Sequence, residues 1–238
     1  MLMRINKFIA DCGVTSRRKA EELILQGRVS VNNKTVTDLS FRINPENDQV
    51  LIDGERIKVK NNVYYLLNKP KGVISTTNDE KSRKTVVELI KTKEKIYPVG
   101  RLDYNTTGAI LLTNDGKLSN LLTHPKNKVP KLYEVKLNKE LNEADREKLL
   151  NGVFIERKKG RFEKIKFPNL KEKIIVEVEC VEGRNRFVKK MFATLDYKVK
   201  SLNRKSFAGL TPNTTVGKYR ILNHSEVKKL FIKYSLNK

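Results

Sequence analysis

The stretch QVLIDGERIKVKNNVYYLLNKP, residues 49–70, changes character twice. Its first half alternates apolar and polar side chains on either side of Asp53-Gly54, a pair suited to the positive φ angles of a two-residue turn, and so predicts a β-hairpin. Residues 58–62, KVKNN, are polar and without period, which marks a linker. VYYLLNKP then opens a run of strand-forming residues. The chain is expected to divide at this point, into a small domain of residues 1–60 and a larger one of residues 61–238.

Upstream, Ile5, Phe8, Ile9 and Cys12 in RINKFIADCG fall at i, i+3, i+4 and i+7, the stripe of a short amphipathic helix closed by Gly13. TSRRKAEELILQG offers Thr15 or Ser16 as N-cap, Ala20, Leu23 and Ile24 as an apolar face, and Gly27 as a stop. RVSVNNKTV alternates around an Asn-Asn turn and reads as a second hairpin. Arg4, Arg17, Arg18, Lys19 and Arg28 lie close to helix ends. Cations at a helix start oppose the helix dipole, so SRRK there asks for an anion.

Downstream, elements of both kinds alternate irregularly. Strands are expected at AILLT, LYEVKL, FEKIKF, KIIVEVECV and KVKSLN, and helices at TVVELI, EADREKLL, RFVKKMFATL and from Ser225 onward. Hairpin-like neighbours mixed with helices argue for an α+β fold with a largely antiparallel sheet flanked by helices, not a doubly wound parallel one.

The 238 residues carry 50 Lys and Arg against 27 Asp and Glu, a formal charge of +23. An extended polyanion is the partner that such an excess suits. Cys12 and Cys180 sit in no C-x-x-C or Cys/His cluster and read as buried thiols of a reducing cytosol. No stretch approaches the length of a membrane span, and charges at Arg4, Lys7 and Asp11 break the opening apolar run, so no export signal is expected. The only histidines, His124 and His224, stand at loop or helix starts and do not suggest a metal site or a catalytic triad. No P-loop or G-x-G-x-x-G is present.

Three features of the larger domain carry chemistry. In VGRLDYNTTGAILLTNDG, residues 99–116, one carboxylate, Asp103, stands between Arg101 and a polar loop. A loop aspartate commonly caps backbone amides, and only other groups can make it a reacting acid. Tyr133 in KLYEVKL reads as strand core by itself. EGRNRFVKKMF feeds a helix with Arg184, Arg186, Lys189 and Lys190 near its start, either a solvated face or a phosphate grip.

RINKFIADCGVTSRRKAEELILQGRVSVNNKTV resembles the alpha-L RNA-binding motif of the ribosomal-protein S-four type, over most of residues 3–50. LLNKPKGVIST, PVGRLDYNTTGAILLTNDG, HPKNKVPKLYEVKL, EGRNRFVKKMF and LNRKSFAGL resemble, in order, the RsuA/RluB family of ribosomal RNA pseudouridine synthases. The resemblance makes Asp103 the catalytic aspartate, Tyr133 the tyrosine against the target base, and Lys189 the cation beside the aspartate. The family usually has arginine at the position of Lys189, and lysine keeps the charge without the planar fork. The resemblance also implies that Arg101, Arg184, Arg186 and Arg204 contact RNA.

Isomerising uridine to pseudouridine breaks the N1–C1′ bond, turns the base and rejoins it through C5, so one ionised carboxylate can serve where a glycoside hydrolase needs two carboxyl groups. The nearby Asp115 is expected to cap or turn. The target base must leave its stack, so base flipping is implied. No metal, nucleotide or redox cofactor is implied. LLTHPKNKVPKLYEV resembles the large-subunit branch, which implies 23S rRNA, free or in a precursor particle, acted on by a cytoplasmic monomer. Two alternatives are 16S rRNA as substrate and a non-catalytic ribosome-assembly factor that only binds RNA.

Overall fold

The computed structural model describes residues 2–235, and no helix among them is long and apolar enough to cross a membrane. The chain forms two compact units. One comprises Met1–Val63 with the short segments Lys93–Lys95 and Asn114–Gly116, and the other Tyr64–Thr92, Ile96–Thr113 and Lys117–Lys238.

In the first unit β1 (Met3–Arg4) leads into α1 (Ile5–Asp11) and α2 (Arg17–Leu25). β2 (Val29–Val31), β3 (Lys34–Thr35), β4 (Arg42–Ile43), β5 (Val50–Ile52) and β6 (Glu55–Arg56) follow. The stripe of Ile5, Phe8, Ile9 and Cys12 is buried against Ala20 and Ile24 of α2 and against Val29, Val31 and Val50 of the strands. Ser16 caps α2, its Oγ accepting from the Lys19 amide at 3.3 Å. Gly27 ends that helix at φ +68°. Both expected hairpins form, with positive φ at Asn32 and Asn33 and at Asp53 and Gly54, and β2 pairs with β5 to give the order β3-β2-β5-β6. The pairing of β1 with β4 spans two residues each and was beyond any periodicity reading.

The second unit holds β7 (Tyr64–Lys69), β8 (Tyr97–Pro98), β9 (Thr107–Thr113), α3 (Gly116–Thr123) and β10 (Lys131–Leu137). Then come α4 (Glu143–Asn151), β11 (Val153–Ile155), β12 (Lys158–Gly160), β13 (Lys164–Lys166), β14 (Ile175–Cys180), α5 (Phe187–Ala193), β15 (Val199–Phe207), β16 (Tyr219–Ile221) and α6 (His224–Ser235). Eight strands form one sheet in the order β13-β14-β10-β15-β9-β7-β16, with β8 beside β9. Ala109 and Leu111 of β9 face a core shared with Leu118 and Leu122 of α3 and Val227 and Leu230 of α6. Burying that apolar surface, at roughly 25 cal/mol per Å², is the main force holding these helices to the sheet.

Within this sheet only β9 and β15 run parallel, joined at Asn203↔Thr107 and Arg204↔Gly108. Two antiparallel groups of strands thus meet along a short seam. Gly108 is required there: its φ is +104°, and a Cβ would lie 2.2 Å from the Arg204 carbonyl oxygen.

One expected helix is corrected. TVVELI makes a single 3-10 turn, Val87–Leu89. Glu88 Oε1 does accept from the Thr85 amide and hydroxyl, at 3.1 and 2.7 Å, as at a helix start. Ile90 is drawn into the core on extended backbone, however, and the turn goes no further.

Candidate active site

Asp103 stands on the loop between β8 and β9, where β8 and β15 diverge along one edge of β9: β8 pairs at Thr113 and Leu112, β15 at Thr107 and Gly108. The loop is fastened from beneath by Lys69, the last residue of β7. Its side chain is fully buried, and Nζ donates to the carbonyl oxygens of Pro70 at 3.0 Å, Asp103 at 3.1 Å and Thr106 at 2.9 Å. Burial pulls this ammonium down to about 8, with Asp103 opposing and Arg204 assisting. Ser75 Oγ donates to the Leu102 carbonyl and accepts from the Leu102 amide, at 2.9 and 3.1 Å. The backbone of the acid is therefore set before any ligand arrives.

The carboxylate meets Lys189, whose Nζ lies 2.9 Å from Asp103 Oδ2. Lys189 is on α5, which starts after Arg186 in left-handed conformation at φ +53°. Side-chain exposures of 40% for Asp103 and 22% for Lys189 leave the carboxylate reachable and the ammonium partly covered. The single contact from Nζ supplies the charge of an arginine without its two-point fork.

Tyr133 lies on β10, 8% exposed, and is paired with Arg204 of β15. Burial pushes its phenol up, more than the charge of Arg204 draws it down, so the hydroxyl stays neutral. Arg204 is 2% exposed, its Nε donates to the Ala109 carbonyl at 2.6 Å, and its guanidinium carbon is 4.8 Å from the Phe207 ring centre. The acid comes from one side of the seam, the phenol and guanidinium from the other.

Asp103, Tyr133 and Arg204 line a cleft of about 1130 Å³, larger than one nucleotide needs. Its walls carry eight Lys and Arg against four carboxylates. Asp79 is paired with Arg83 at 2.8 Å and held down at about 2, and Glu182 is paired with Arg184. Neither is prepared as the protonated general acid of a two-carboxylate glycoside hydrolase.

The cations singled out in the sequence have divided fates. Arg101 and Arg186 are exposed at the cleft, and Arg4, Arg17, Arg18 and Lys19 are exposed on the first unit. Arg28 is engaged by Asp53, Nε to Oδ1 at 2.9 Å. Arg184 is committed to its own protein: it binds Glu182 and donates to the carbonyl oxygens of Ile155, Lys158 and Lys159, pinning the β11–β12 hairpin. Arg204 lies on the cleft floor, not its rim. Asp115 is buried immediately before α3. Cys12 and Cys180 are buried free thiols, each raised to about 12 chiefly by burial.

The sequence reading overlooked Lys69 as a functional residue. No local signal marked it, because a lysine that ends an apolar strand ordinarily reaches water and gives no sign of how deep its ammonium lies.

Residues 63–194 match the family described as RNA pseudouridylate synthase, and residues 3–50 match the S4 domain. A Bacillus subtilis protein named ribosomal large subunit pseudouridine synthase B is 41% identical over 95% of this chain and 95% of its own length. An uncharacterized RNA pseudouridine synthase of Aquifex aeolicus is 39% identical, over 97% and 94%. A solved pseudouridylate synthase superposes with a TM-score of 0.68 at 31% identity, covering 96% of this chain and 99% of that one. With a family match over residues 63–194, an S4 domain ahead of it and a relative 41% identical over 95% of its length, the chain belongs to the RNA pseudouridylate synthase family.

Proposed function

We propose that this protein isomerises one uridine of 23S ribosomal RNA to pseudouridine, with Asp103 as the reacting carboxylate. The observation that carries the reading is the Asp103–Lys189 pair, 2.9 Å apart on a fastened loop at the mouth of the cleft. An ionised, partly exposed carboxylate is suited either to attack C1′ or to take a proton from the ribose. Tyr133 supports the base from below, and Lys189 holds the carboxylate in place. Arg101 and Arg186 hold the phosphates that flank the flipped nucleotide. Arg4, Arg17, Arg18 and Lys19 of the first unit hold RNA further along the strand.

The assignment to the large-subunit RNA rests on the likeness to the Bacillus subtilis relative. The protein acts as a monomer in the cytoplasm, on free RNA or on an assembling particle. Mapping pseudouridine across ribosomal RNA from cells with and without the protein tests the reading. One 23S position should lose the modification, wild-type protein should restore it, and Asp103→Asn, which keeps the shape but not the nucleophile, should not. Loss at a 16S position instead would move the substrate to the small subunit. An unchanged map in both RNAs would remove the ribosomal assignment.

A further inference from the structure

Three buried or largely buried cations surround the floor of the cleft, and they are not equivalent. The Lys69 ammonium is satisfied by backbone carbonyls, and Lys131 Nζ donates to the carbonyl oxygens of Val129 and Val181 at 3.0 Å each. Arg204 has Nε held by Ala109 and its guanidinium engages the Tyr133 hydroxyl, while its Nη2, shielded from solvent, has no hydrogen-bond partner. Among the described residues it is the one buried cationic nitrogen without a partner. Leaving such a donor unsatisfied is costly, and folding alone supplies no reason to keep it. Burial depresses the neighbouring ammonium groups of Lys69 and Lys131, and the charge of Arg204 adds to that in a smaller measure. The floor thus concentrates positive charge with one free donor beside Tyr133, opposite Asp103.

We propose that Arg204 is a catalytic residue whose Nη2 donates to a carbonyl oxygen of the target uracil and stabilises the negative charge that the ring carries once its bond to the ribose is broken. The proposal rests on the reading of Asp103 given above and adds the group that serves the departing base. When N1–C1′ breaks, its electron pair goes to the ring, which becomes the uracil monoanion with charge shared among N1, O2 and O4. C1′ is meanwhile bonded by the Asp103 carboxylate, or the ribose gives up its 2′ proton to it. After the ring turns, C5 bonds to C1′ as the Asp103 carboxylate leaves it, or as Asp103 returns the 2′ proton to the ribose; the proton on C5 then leaves and N1 gains one. Uridine and pseudouridine are isomers, so nothing is consumed. A preorganised buried donor aimed at charge that develops during reaction is among the strongest rate effects a protein can supply.

The test compares the full-length protein with Arg204→Met and Arg204→Lys in single-turnover reactions on two 23S rRNA transcripts, one made with uridine and one with 5-fluorouridine. Fluorine makes the ring a better leaving group, so it needs less help from a donor. Lysine reaches only as far as the guanidinium carbon, which preserves a bond to Ala109 while losing Nη2. Both variants should cleave N1–C1′ about a hundredfold slower on the uridine RNA and recover most of that loss on the fluorinated one. The ratio of the two rates, taken on one preparation, is independent of the fraction folded. An equal loss on both RNAs, or a wild-type rate for Arg204→Lys, overturns the leaving-group role and leaves the function standing. No pseudouridine from the wild-type protein on the uridine transcript overturns the reading of the function, and this proposal with it.

Discussion

At the scale of single residues, the acid matters less than what fixes it. Lys69 holds the backbone of Asp103, and Lys189 holds its carboxylate. Replacing Lys189 by methionine keeps the length of the side chain and removes the charge. In single-turnover reactions at saturating RNA, Lys189→Met should be at least about tenfold slower, some 1.4 kcal/mol at the transition state. Lys189→Arg should keep the rate. If Lys189 were one phosphate ligand among several, Lys189→Met would weaken binding and leave the saturated rate untouched. That Lys189 stands beside Asp103 was expected from the resemblance of the motifs that hold them, whereas Tyr133 by itself read as strand core. Lys69 and the true position of Arg204 were not legible, since a lone basic residue gives no sign of its depth. Arg184 misled for the same reason: three of its bonds go to backbone carbonyls of a hairpin some 25–29 residues away, and that hairpin has no strong sequence pattern.

At the scale of elements, the seam between β9 and β15 decides the geometry. Only two residue pairs join these strands, reinforced by Arg204 Nε on Ala109 and by the Thr107 hydroxyl donating to Asn203 Oδ1 at 3.0 Å. Gly108 lets the two backbones approach. Gly108→Ala should therefore cost at least about 2 kcal/mol in urea unfolding, through both strain and the clash with Arg204. Gly183→Ala, where an added Cβ meets nothing within 4 Å, is the control and should change little. The helices and hairpins that the sequence revealed were those with caps, Asx-Gly turns or full apolar stripes. Two-residue strands such as β8 exist only because a neighbour pairs with them, and no local pattern announces that. The largely antiparallel character was readable, whereas the single parallel junction, on which the site depends, joins residues nearly a hundred positions apart.

At the scale of the whole molecule, most of the net charge lies in the unit that carries the chemistry. Residues 1–63 carry 11 Lys and Arg against 8 Asp and Glu, so only +3 of the +23 lies there, and the exposed group Arg17, Arg18 and Lys19 sits at the start of one helix, far in sequence from Asp103. Changing all three to glutamine should weaken RNA binding and lower the slope of log affinity against log salt, by up to about 0.7–0.9 for each phosphate that the protein no longer neutralises. The saturated rate should not change. An unaltered salt slope would mean that this helix start meets something other than phosphate. The seam has a further consequence, in time. A growing chain makes Thr107 and Gly108 long before Asn203 and Arg204, and the pairing that unites them spans most of the larger unit. During synthesis, then, the helices and hairpins of the first unit can be complete while the reactive acid still lacks its tyrosine and its two cations from α5 and β15. A nascent copy of this protein can carry everything it uses to grip RNA further along the strand and still be chemically silent until the chain is almost finished.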